Sequence, residues 1–215
     1  MLRKFSLPVL FFFCFGGVAL AKEIINLPMP KTVGKMTLEE SLYHRRSERS
    51  FAKAYFDNEK ISQILWAAQG ITDPGWGFRT APSAGNAYPL ELYLLKPEGV
   101  YHYLPNSHSL ELHIKGDQRP SLVRAALGQT FISDASICVV ITAVYDRTRE
   151  KFGLRTDRYV QIEAGHAAQN ILLQAVAMGL GAVPVGSFWD DVVSSALDLP
   201  YGQEPLYIIP VGYIK

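Results

Sequence analysis

The apolar residues that follow Asn58 recur with the period of an α-helix. They stand at i, i+3, i+4 and i+7, and they are Ile61, Ile64, Leu65 and Ala68. Gly70 follows as a stop signal, so the pattern predicts an amphipathic helix capped by Asn58. A helix before it is indicated by Thr37 and Glu40, which have the spacing of a capping box. The longest periodic segment, residues 157–178, predicts a helix buried over most of its circumference.

Runs of β-branched and other apolar residues predict strands between these helices. Four runs stand out, at residues 90–95, 100–104, 110–114 and 137–144. The first two are joined across Lys96-Pro-Glu-Gly99, and the last is continuous, as a central strand would be. Further helices are expected at 119–127 and 189–197, with a final strand at 206–214. The succession predicts an α+β fold in a single domain.

The amino end has the pattern of a secretory signal. Arg3 and Lys4 precede an almost unbroken apolar run, and Ala19-Leu20-Ala21 supplies small residues for a peptidase. The run is shorter than the ~20 residues that span a bilayer. We therefore expect residues 1–21 to be a cleaved signal peptide, residues 22–215 to be one domain without a stable membrane span, and the protein to be exported to the periplasm or the exterior.

Charge and cysteine content narrow the functional classes. The chain is 48% apolar and 19% charged, which is ordinary for a globular protein. Loss of Arg3 and Lys4 would reduce its 21 basic side chains to 19, against 20 acidic ones. This balance argues against nucleic acid as a partner. Cys138 would be the single remaining cysteine, and its apolar neighbours predict a buried thiol rather than a nucleophile.

Three arginines fall within five positions in His-Arg-Arg-Ser-Glu-Arg-Ser-Phe, residues 44–51. Arg45, Arg46 and Arg49 lie where the first helix is expected to end, so they could simply be a solvated helix end that complements the helix dipole. The alternative is an anion site. Guanidinium groups match phosphate oxygens two at a time, and Ser47 adds a hydroxyl donor. The sequence lacks a glycine-rich phosphate loop, so side chains would hold the phosphate.

A second informative stretch is Pro82-Ser-Ala-Gly-Asn86. The small side chains of Ser83, Ala84 and Gly85 allow the backbone to approach a flat ligand closely, and Asn86 both donates and accepts hydrogen bonds. The same residues could equally form a plain turn before the strand that follows.

Together these stretches resemble the FMN-dependent nitroreductase superfamily. The resemblance rests on Arg45-Arg-Ser-Glu-Arg49, Pro82-Ser-Ala-Gly-Asn86, Glu163-Ala-Gly-His-Ala-Ala-Gln-Asn170 and Val183-Pro-Val-Gly-Ser-Phe188. The chain looks most like the branch with the azoline-oxidising (SagB-type) dehydrogenases. The resemblance implies a central mixed or antiparallel sheet flanked by helices, and an intertwined homodimer with two FMN molecules at the subunit interface.

The resemblance also implies roles for individual residues. Arg45 would bind the FMN phosphate, Arg46 and Ser47 would follow the ribityl chain and ring edge, and Arg49 would lie near N1 and O2. Residues 82–86 would border the ring from the partner subunit, with Asn86 at its polar edge. The stretch Val185, Gly186 and Ser187 would supply a backbone N–H to N5. Lys215 stands where the family often has a second phosphate-binding base, although a frayed terminus is an equal alternative.

The implied function is two-electron transfer between FMN and a small conjugated substrate, with no catalytic side chain required. The electron donor stays open: NAD(P)H is one candidate, but nicotinamide cofactors are not expected to be freely available outside the cytoplasm. A non-catalytic flavin-binding or electron-relay protein would share every motif. Azoline oxidation is disfavoured, because the branch uses a Lys-Tyr pair and the nearest match here is Lys151-Phe152. Glu163 and His166 are weak candidates for a direct role. A metal site formed by His102, His108 and His113 does not fit a common zinc spacing.

Overall fold

A computed structural model describes residues 23–215, and the predicted signal peptide lies outside that range. The main sheet has the order β1-β7-β6-β5-β8-β10-β2, with β9 paired to β10. Its strands are β1 (Ile24–Asn26), β2 (Phe51–Ala52), β5 (Leu90–Lys96), β6 (Gly99–Leu104), β7 (Ser109–Lys115), β8 (Ile137–Val144), β9 (Gly181–Ala182) and β10 (Gln203–Ile214). Neighbouring strands pair antiparallel, and β3 (Ile71–Asp73) and β4 (Phe78–Arg79) form a separate hairpin.

Helices cover both faces of this sheet, which confirms the α+β prediction. They are α1 (Leu38–His44), α2 (Asn58–Gln69), α3 (Arg119–Ala125), α4 (Phe131–Asp134), α5 (Asp146–Phe152), α6 (Thr156–Ala177) and α7 (Asp190–Ala196). One core lies between the sheet and the pair α2 and α6, and the other between the sheet and the pair α3 and α7. Within residues 23–215, no helix has the length and apolar character needed to cross a bilayer.

Strand β8 explains how one apolar run serves two cores. Ile137, Val139 and Ile141 face the α2 and α6 side, whereas Cys138 and Val140 face the α3 side. A central strand covered on both faces needs apolar residues at every position, which is why the sequence does not alternate there. Cys138 is fully buried, as predicted, and burial raises the pKa of its thiol to about 12.

The helix starts follow their capping residues. The capping box before α1 is confirmed, because the Glu40 N–H donates to Thr37 Oγ1 at 3.1 Å and the Thr37 N–H donates to Glu40 Oε2 at 2.8 Å. The predicted cap of α2 was wrong by one residue. Asp57 is the cap, since its carboxylate accepts the Lys60 N–H at 2.8 Å, and Asn58 is the first helical residue.

Candidate functional site

The segment of residues 45–49, called here the arginine segment, leaves the end of α1 and runs along the edge of the sheet. Ser47 forms a parallel bridge with Ala182 of β9, and the Glu48 N–H donates to the Ala182 carbonyl at 3.1 Å. A Cβ added to Gly181 would lie 2.7 Å from Glu48 Cβ, so glycine is needed for this close approach. The arginine segment is therefore fixed by its backbone, and this pairing does not use its side chains.

Its three guanidinium groups are not neutralised by the described part of the chain. None forms an ion pair with a described carboxylate. Arg46 donates to the Tyr43 and Arg45 carbonyls at 2.9 and 2.7 Å, and Arg49 lies 5.9 Å from the centre of the Phe131 ring. Unpaired positive charge concentrated on a fixed backbone is the arrangement that a phosphate group requires.

Two other predicted segments lie beside the arginine segment. The Lys215 N–H donates to the Ser50 carbonyl at 3.2 Å, so the carboxyl-terminal residue lies next to it. Ser187 accepts a hydrogen bond from Gln129 Nε2 at 3.3 Å, two residues before the Phe131 ring that faces Arg49. The structure thus brings the segment 45–49, the segment 185–187 and Lys215 together at one edge of the sheet.

In the stretch 185–187, the first residue pairs with the sheet and the other two face solvent. The Val185 N–H donates to the Ile208 carbonyl at 2.8 Å, so this N–H is already used. Gly186 and Ser187 are exposed, and their N–H groups make no hydrogen bond to the described residues. The donor predicted for this stretch therefore narrows from three residues to Gly186 and Ser187.

Residues 82–88 form a strained loop, called here the 82–88 loop. Gly85, Asn86 and Tyr88 all have positive φ, at 56°, 53° and 45°. Asparagine tolerates this region, but for a bulky residue such as tyrosine it costs roughly 1–2 kcal/mol. The plain turn considered for this stretch does not account for such strain, because a plain turn would relax unless other parts of the structure held it.

Side chains from two elements, α5 and β4, hold the 82–88 loop in place. Lys151 Nζ in α5 donates to the Gly85 carbonyl at 2.7 Å, and Arg147 donates to the Tyr88 carbonyl at 3.0 Å. Arg79 at the end of β4 lies 4.6 Å from the centre of the Tyr88 ring. A Cβ added to Gly85 would lie 2.9 Å from the Phe152 ring, so the loop backbone packs directly on α5.

Glu163 of α6 is buried on the inner side of this loop. It is 3% exposed, and its Oε1 has no hydrogen-bond partner in the described part of the chain. Burial raises the pKa of this carboxyl to about 7, while the facing Ser83 hydroxyl and the Arg79 charge oppose the rise. His166, one turn further along α6, is exposed.

The arginine segment and the 82–88 loop lie near different parts of α6. The loop faces Glu163 in the first half of the helix, whereas the arginine segment pairs with β9, which follows the last turn. The fifteen residues from Glu163 to Met178 correspond to about 22 Å of helix rise. Within one chain, the two predicted halves of the site therefore lie near opposite ends of this stretch of α6.

The three histidines considered as a metal site, His102, His108 and His113, are not arranged around a common point. His102 contacts Glu91 at 2.7 Å, His108 contacts Tyr103 Oη at 2.8 Å, and His113 donates to the Leu197 carbonyl at 2.8 Å. Across residues 23–215, no group of three His, Cys, Asp or Glu side chains is arranged to hold a metal ion. Each of these histidines has a structural hydrogen bond instead.

Comparison with known proteins agrees with the geometry. The family model described as the nitroreductase family matches residues 42–213. The chain belongs to the nitroreductase family. A Methanocaldococcus jannaschii protein assigned as a nitroreductase, MJ1384, is 41% identical over 196 residues, covering 88% of this chain and 97% of that protein. A crystal structure assigned as a nitroreductase, from Ralstonia eutropha, is 31% identical with a TM-score of 0.82, covering 89% of this chain and 90% of that one.

The Escherichia coli microcin B17-processing protein McbC is a more distant relative of this nitroreductase family member. It is 28% identical over 151 residues, covering 65% of this chain and 55% of McbC. Family membership supports flavin-dependent oxidoreduction as the general class of chemistry. The predicted resemblance and the predicted sheet flanked by helices are confirmed.

Sequence reasoning missed the side chains that hold the 82–88 loop. Arg79 and Arg147 belong to a two-residue strand and a short helix, and neither has a motif that marks it. Lys151 was noticed for its neighbour Phe152, and the structure shows both residues against Gly85. The available signal was the local excess of basic residues in 147–151, which points to a partner without identifying it.

Proposed function

We propose that this protein is an FMN-dependent oxidoreductase that transfers two electrons between the flavin and a small conjugated substrate. The observation that carries the proposal is a set of guanidinium groups in the arginine segment, fixed on β9 near the N–H groups of Gly186 and Ser187. In the described part of the chain, these guanidinium groups form no ion pair and these N–H groups form no hydrogen bond. These donors suit the parts of FMN that carry or develop negative charge, namely the phosphate and the edge of the ring. The residues present therefore fit this cofactor.

Each part of the segment has a distinct proposed task. Arg45 and Arg46 bind the phosphate, with Ser47 as a further donor and Lys215 as a second cation near the terminus. Arg49 lies at the N1 and O2 edge, where a fixed positive charge stabilises negative charge on the reduced ring. The Gly186 or Ser187 N–H would donate to N5. When bound, FMN supplies the hydride chemistry itself.

A homodimer completes the proposed site. The 82–88 loop and the arginine segment lie near opposite ends of a stretch of α6 that rises about 22 Å. This arrangement supports a ring bordered by Pro82, Ser83, Ala84, Gly85 and Asn86 of the partner subunit. Helix α1 packs on α6 and exposes Leu38, Leu42 and Tyr43, and α6 exposes Ile162. Apolar side chains on adjoining helices would be covered in an intertwined pair.

The substrate and the donor are proposed only as chemical classes. A planar conjugated acceptor would lie over the flavin ring. Trp76 and Phe78, which are exposed and stacked with 6.3 Å between their ring centres, would supply aromatic contacts to it. The donor class is NAD(P)H. Peptide azoline oxidation is not proposed, because Phe152 lacks a hydroxyl beside Lys151.

The decisive experiment is the absorbance spectrum of the purified mature protein, followed by release and identification of the chromophore. We expect a flavin spectrum, release of FMN, a dimer by light scattering, and multiple turnovers with NADH or NADPH and an artificial acceptor. Protein that stays colourless when it is offered FMN would refute the proposal. Bound FMN without turnover, with dithionite also tested as the donor, would favour the non-catalytic alternative.

The export of the protein is a separate proposal, carried by the basic start and apolar run of residues 1–21. Expression of the full chain in a bacterium, followed by fractionation and intact mass measurement, tests it. We expect a periplasmic or secreted species whose mass corresponds to a start at Lys22. Full-length protein retained in the cytoplasm would contradict this expectation.

A further inference from the structure

Glu163 is a buried acidic group that the proposed flavin contacts do not use. It projects from α6 towards the Ser83 hydroxyl, is 3% exposed, and has an oxygen, Oε1, without a partner among the described residues. A buried carboxylate normally collects several hydrogen bonds or a paired cation, because its desolvation is costly. Glu163 has neither, so its surroundings suit an uncharged carboxyl better than a carboxylate.

The nearby charges do not provide that missing cation. Arg79 is the closest one described, but it forms no ion pair with Glu163. Its guanidinium donates to Gln69 Oε1 at 2.9 Å and lies 4.6 Å from the centre of the Tyr88 ring. Arg79 also interacts electrostatically with Glu91 of β5, Arg147 of α5 and Tyr103 of β6. Arg79 is therefore already engaged by other groups.

The Ser83 hydroxyl connects Glu163 to the backbone of the 82–88 loop. Ser83 Oγ accepts the Tyr88 N–H at 2.8 Å, which leaves its own O–H free to donate towards the facing carboxyl. Tyr88 is the most strained residue of the loop for its size, at φ 45°. A change in the protonation of Glu163 can therefore act on the backbone of Tyr88 through the Ser83 hydroxyl alone.

We propose that Glu163 positions the 82–88 loop through Ser83, and that it does so as an uncharged carboxylic acid. Loss of its proton would leave a buried charge that must recruit water or Arg79. Movement of Arg79 would remove its contact with the Tyr88 ring, and entry of water would compete for Ser83. Both responses loosen the loop. The pKa of Glu163, raised by burial to about 7, sets the change near neutral pH.

The bearing of this inference on the flavin rests on the proposed function, in which this loop borders the ring of the partner subunit. The positioning itself does not need the cofactor. It is tested by hydrogen–deuterium exchange of the peptide containing residues 82–88, in the full purified protein without added FMN. Protection factors, corrected for the intrinsic pH dependence of exchange, are compared between wild type and Glu163→Gln from about pH 6 to about pH 8.

We expect protection of the loop in wild type to fall roughly tenfold across this range. With a pKa of about 7, the uncharged fraction of Glu163 falls from roughly nine-tenths at pH 6 to roughly one-tenth at pH 8. Glu163→Gln keeps an uncharged side chain of similar shape, so its loop should stay protected at both ends of the range. Ser83→Ala should expose the loop at every pH. His166→Gln, on the same helix but exposed, should keep the wild-type change.

A wild-type loop whose protection does not change with pH would overturn the inference, as would a Glu163→Gln protein that keeps the wild-type change. Loss of the change in His166→Gln would assign it to the histidine and would also overturn the inference. Because no flavin is used, a colourless protein would refute the proposed function and leave this result standing. Conversely, a yellow protein with unaltered loop exchange would refute only the role of Glu163.

Discussion

The arginine segment and the 82–88 loop are held in opposite ways. The arginine segment is fixed by backbone pairing with β9, and its guanidinium groups form no ion pair within residues 23–215. The 82–88 loop has an unfavourable backbone, with Gly85, Asn86 and Tyr88 at positive φ, and side chains from β4 and α5 hold it by hydrogen bonds and packing. The arginine segment thus presents charged side chains on a regularly paired backbone, whereas the 82–88 loop presents a defined but strained backbone conformation.

The difference separates binding from stability. Removing a solvent-exposed guanidinium costs little folding free energy, because the backbone of the arginine segment does not depend on it. Removing a contact that supports the 82–88 loop takes away interactions that offset its backbone strain and leaves buried polar groups without partners, which lowers the free energy of unfolding directly. Substitutions in the arginine segment should therefore act on the cofactor, and substitutions around the loop on the protein itself.

The largest expected effect is on flavin affinity. Arg45→Ala combined with Arg46→Ala should raise the FMN dissociation constant by at least about a hundredfold, since hydrogen bonds to charged groups contribute roughly 1.5–3 kcal/mol each. Fluorescence titration of flavin-free protein measures this. The free energy of unfolding without flavin should change by less than about 0.5 kcal/mol.

A matched control removes the same net charge elsewhere. Lys115 ends β7 and Arg124 is an exposed residue of α3. Their double substitution by alanine should leave FMN affinity close to wild type. Equal losses in the two double variants would mean that overall charge, rather than the arginine segment, attracts the phosphate.

The second effect is a pH dependence of the free energy of unfolding that comes from Glu163, the acidic group facing the 82–88 loop. Burial raises the pKa of Glu163 from its ordinary 4.5 to about 7, so the folded chain keeps a proton that the unfolded chain releases. The free energy of unfolding should therefore fall as pH rises from 4.5 to 7, by on the order of 3 kcal/mol. Urea unfolding of wild type and Glu163→Gln, at several pH values, isolates this contribution.

Subtraction of the variant is needed because His108 acts in the opposite direction. Burial lowers the pKa of His108, so the unfolded chain binds a proton that the folded chain does not, and this contribution to stability rises with pH. It is common to wild type and Glu163→Gln, and it cancels in their difference. A difference that does not vary with pH would contradict the buried, uncharged carboxyl.

The two regions also differ in how far the sequence predicted them. The arginine segment was predicted because the information for it is local in sequence. A capping box marks the start of α1, the arginines follow its end directly, and an arginine is charged whatever the fold. The conformation of the loop was not predictable, since it depends on Arg147 and Lys151, some sixty residues away in sequence, and on Glu163 from another helix.

The same rule holds for the fold. Strand β8 and helix α6 were found to within a residue, because each is a long, mostly apolar segment. Strands β2, β4 and β9 were missed, since each has two residues and exists only because a neighbouring strand offers hydrogen bonds. The pairing of β9 with Ser47, which fixes the arginine segment, could therefore not be read from sequence.

The third effect tests shape in the loop. Gly85→Ala should lower the free energy of unfolding by about 1–2 kcal/mol, since alanine is unfavourable at positive φ. Its methyl group would also meet the Phe152 ring, with Cζ at 2.9 Å. Phe152→Leu in the same chain should recover the steric part of the loss and leave the backbone part. Denaturant unfolding of the two single variants and the double variant measures the coupling.

No recovery in the double variant would assign the whole cost to the backbone and exclude Phe152 as a support of the loop. The arginine segment provides the contrast. Ser47→Ala removes a hydroxyl from an exposed position and should leave the free energy of unfolding unchanged within about 0.5 kcal/mol.

The smallest expected effect is on stability and FMN affinity when one of two helix-capping residues is replaced. Thr37 caps α1, which leads into the arginine segment, whereas Asp57 caps α2, which packs against α6. Replacing either residue by alanine should lower the free energy of unfolding by about 1 kcal/mol, because one helix start loses its hydrogen-bond acceptor. Only Thr37→Ala should also weaken FMN binding, by a few fold, since fraying of α1 loosens the backbone that presents Arg45. Equal FMN affinities in the two variants would show that the pairing of Ser47 with β9 fixes the arginine segment without help from α1.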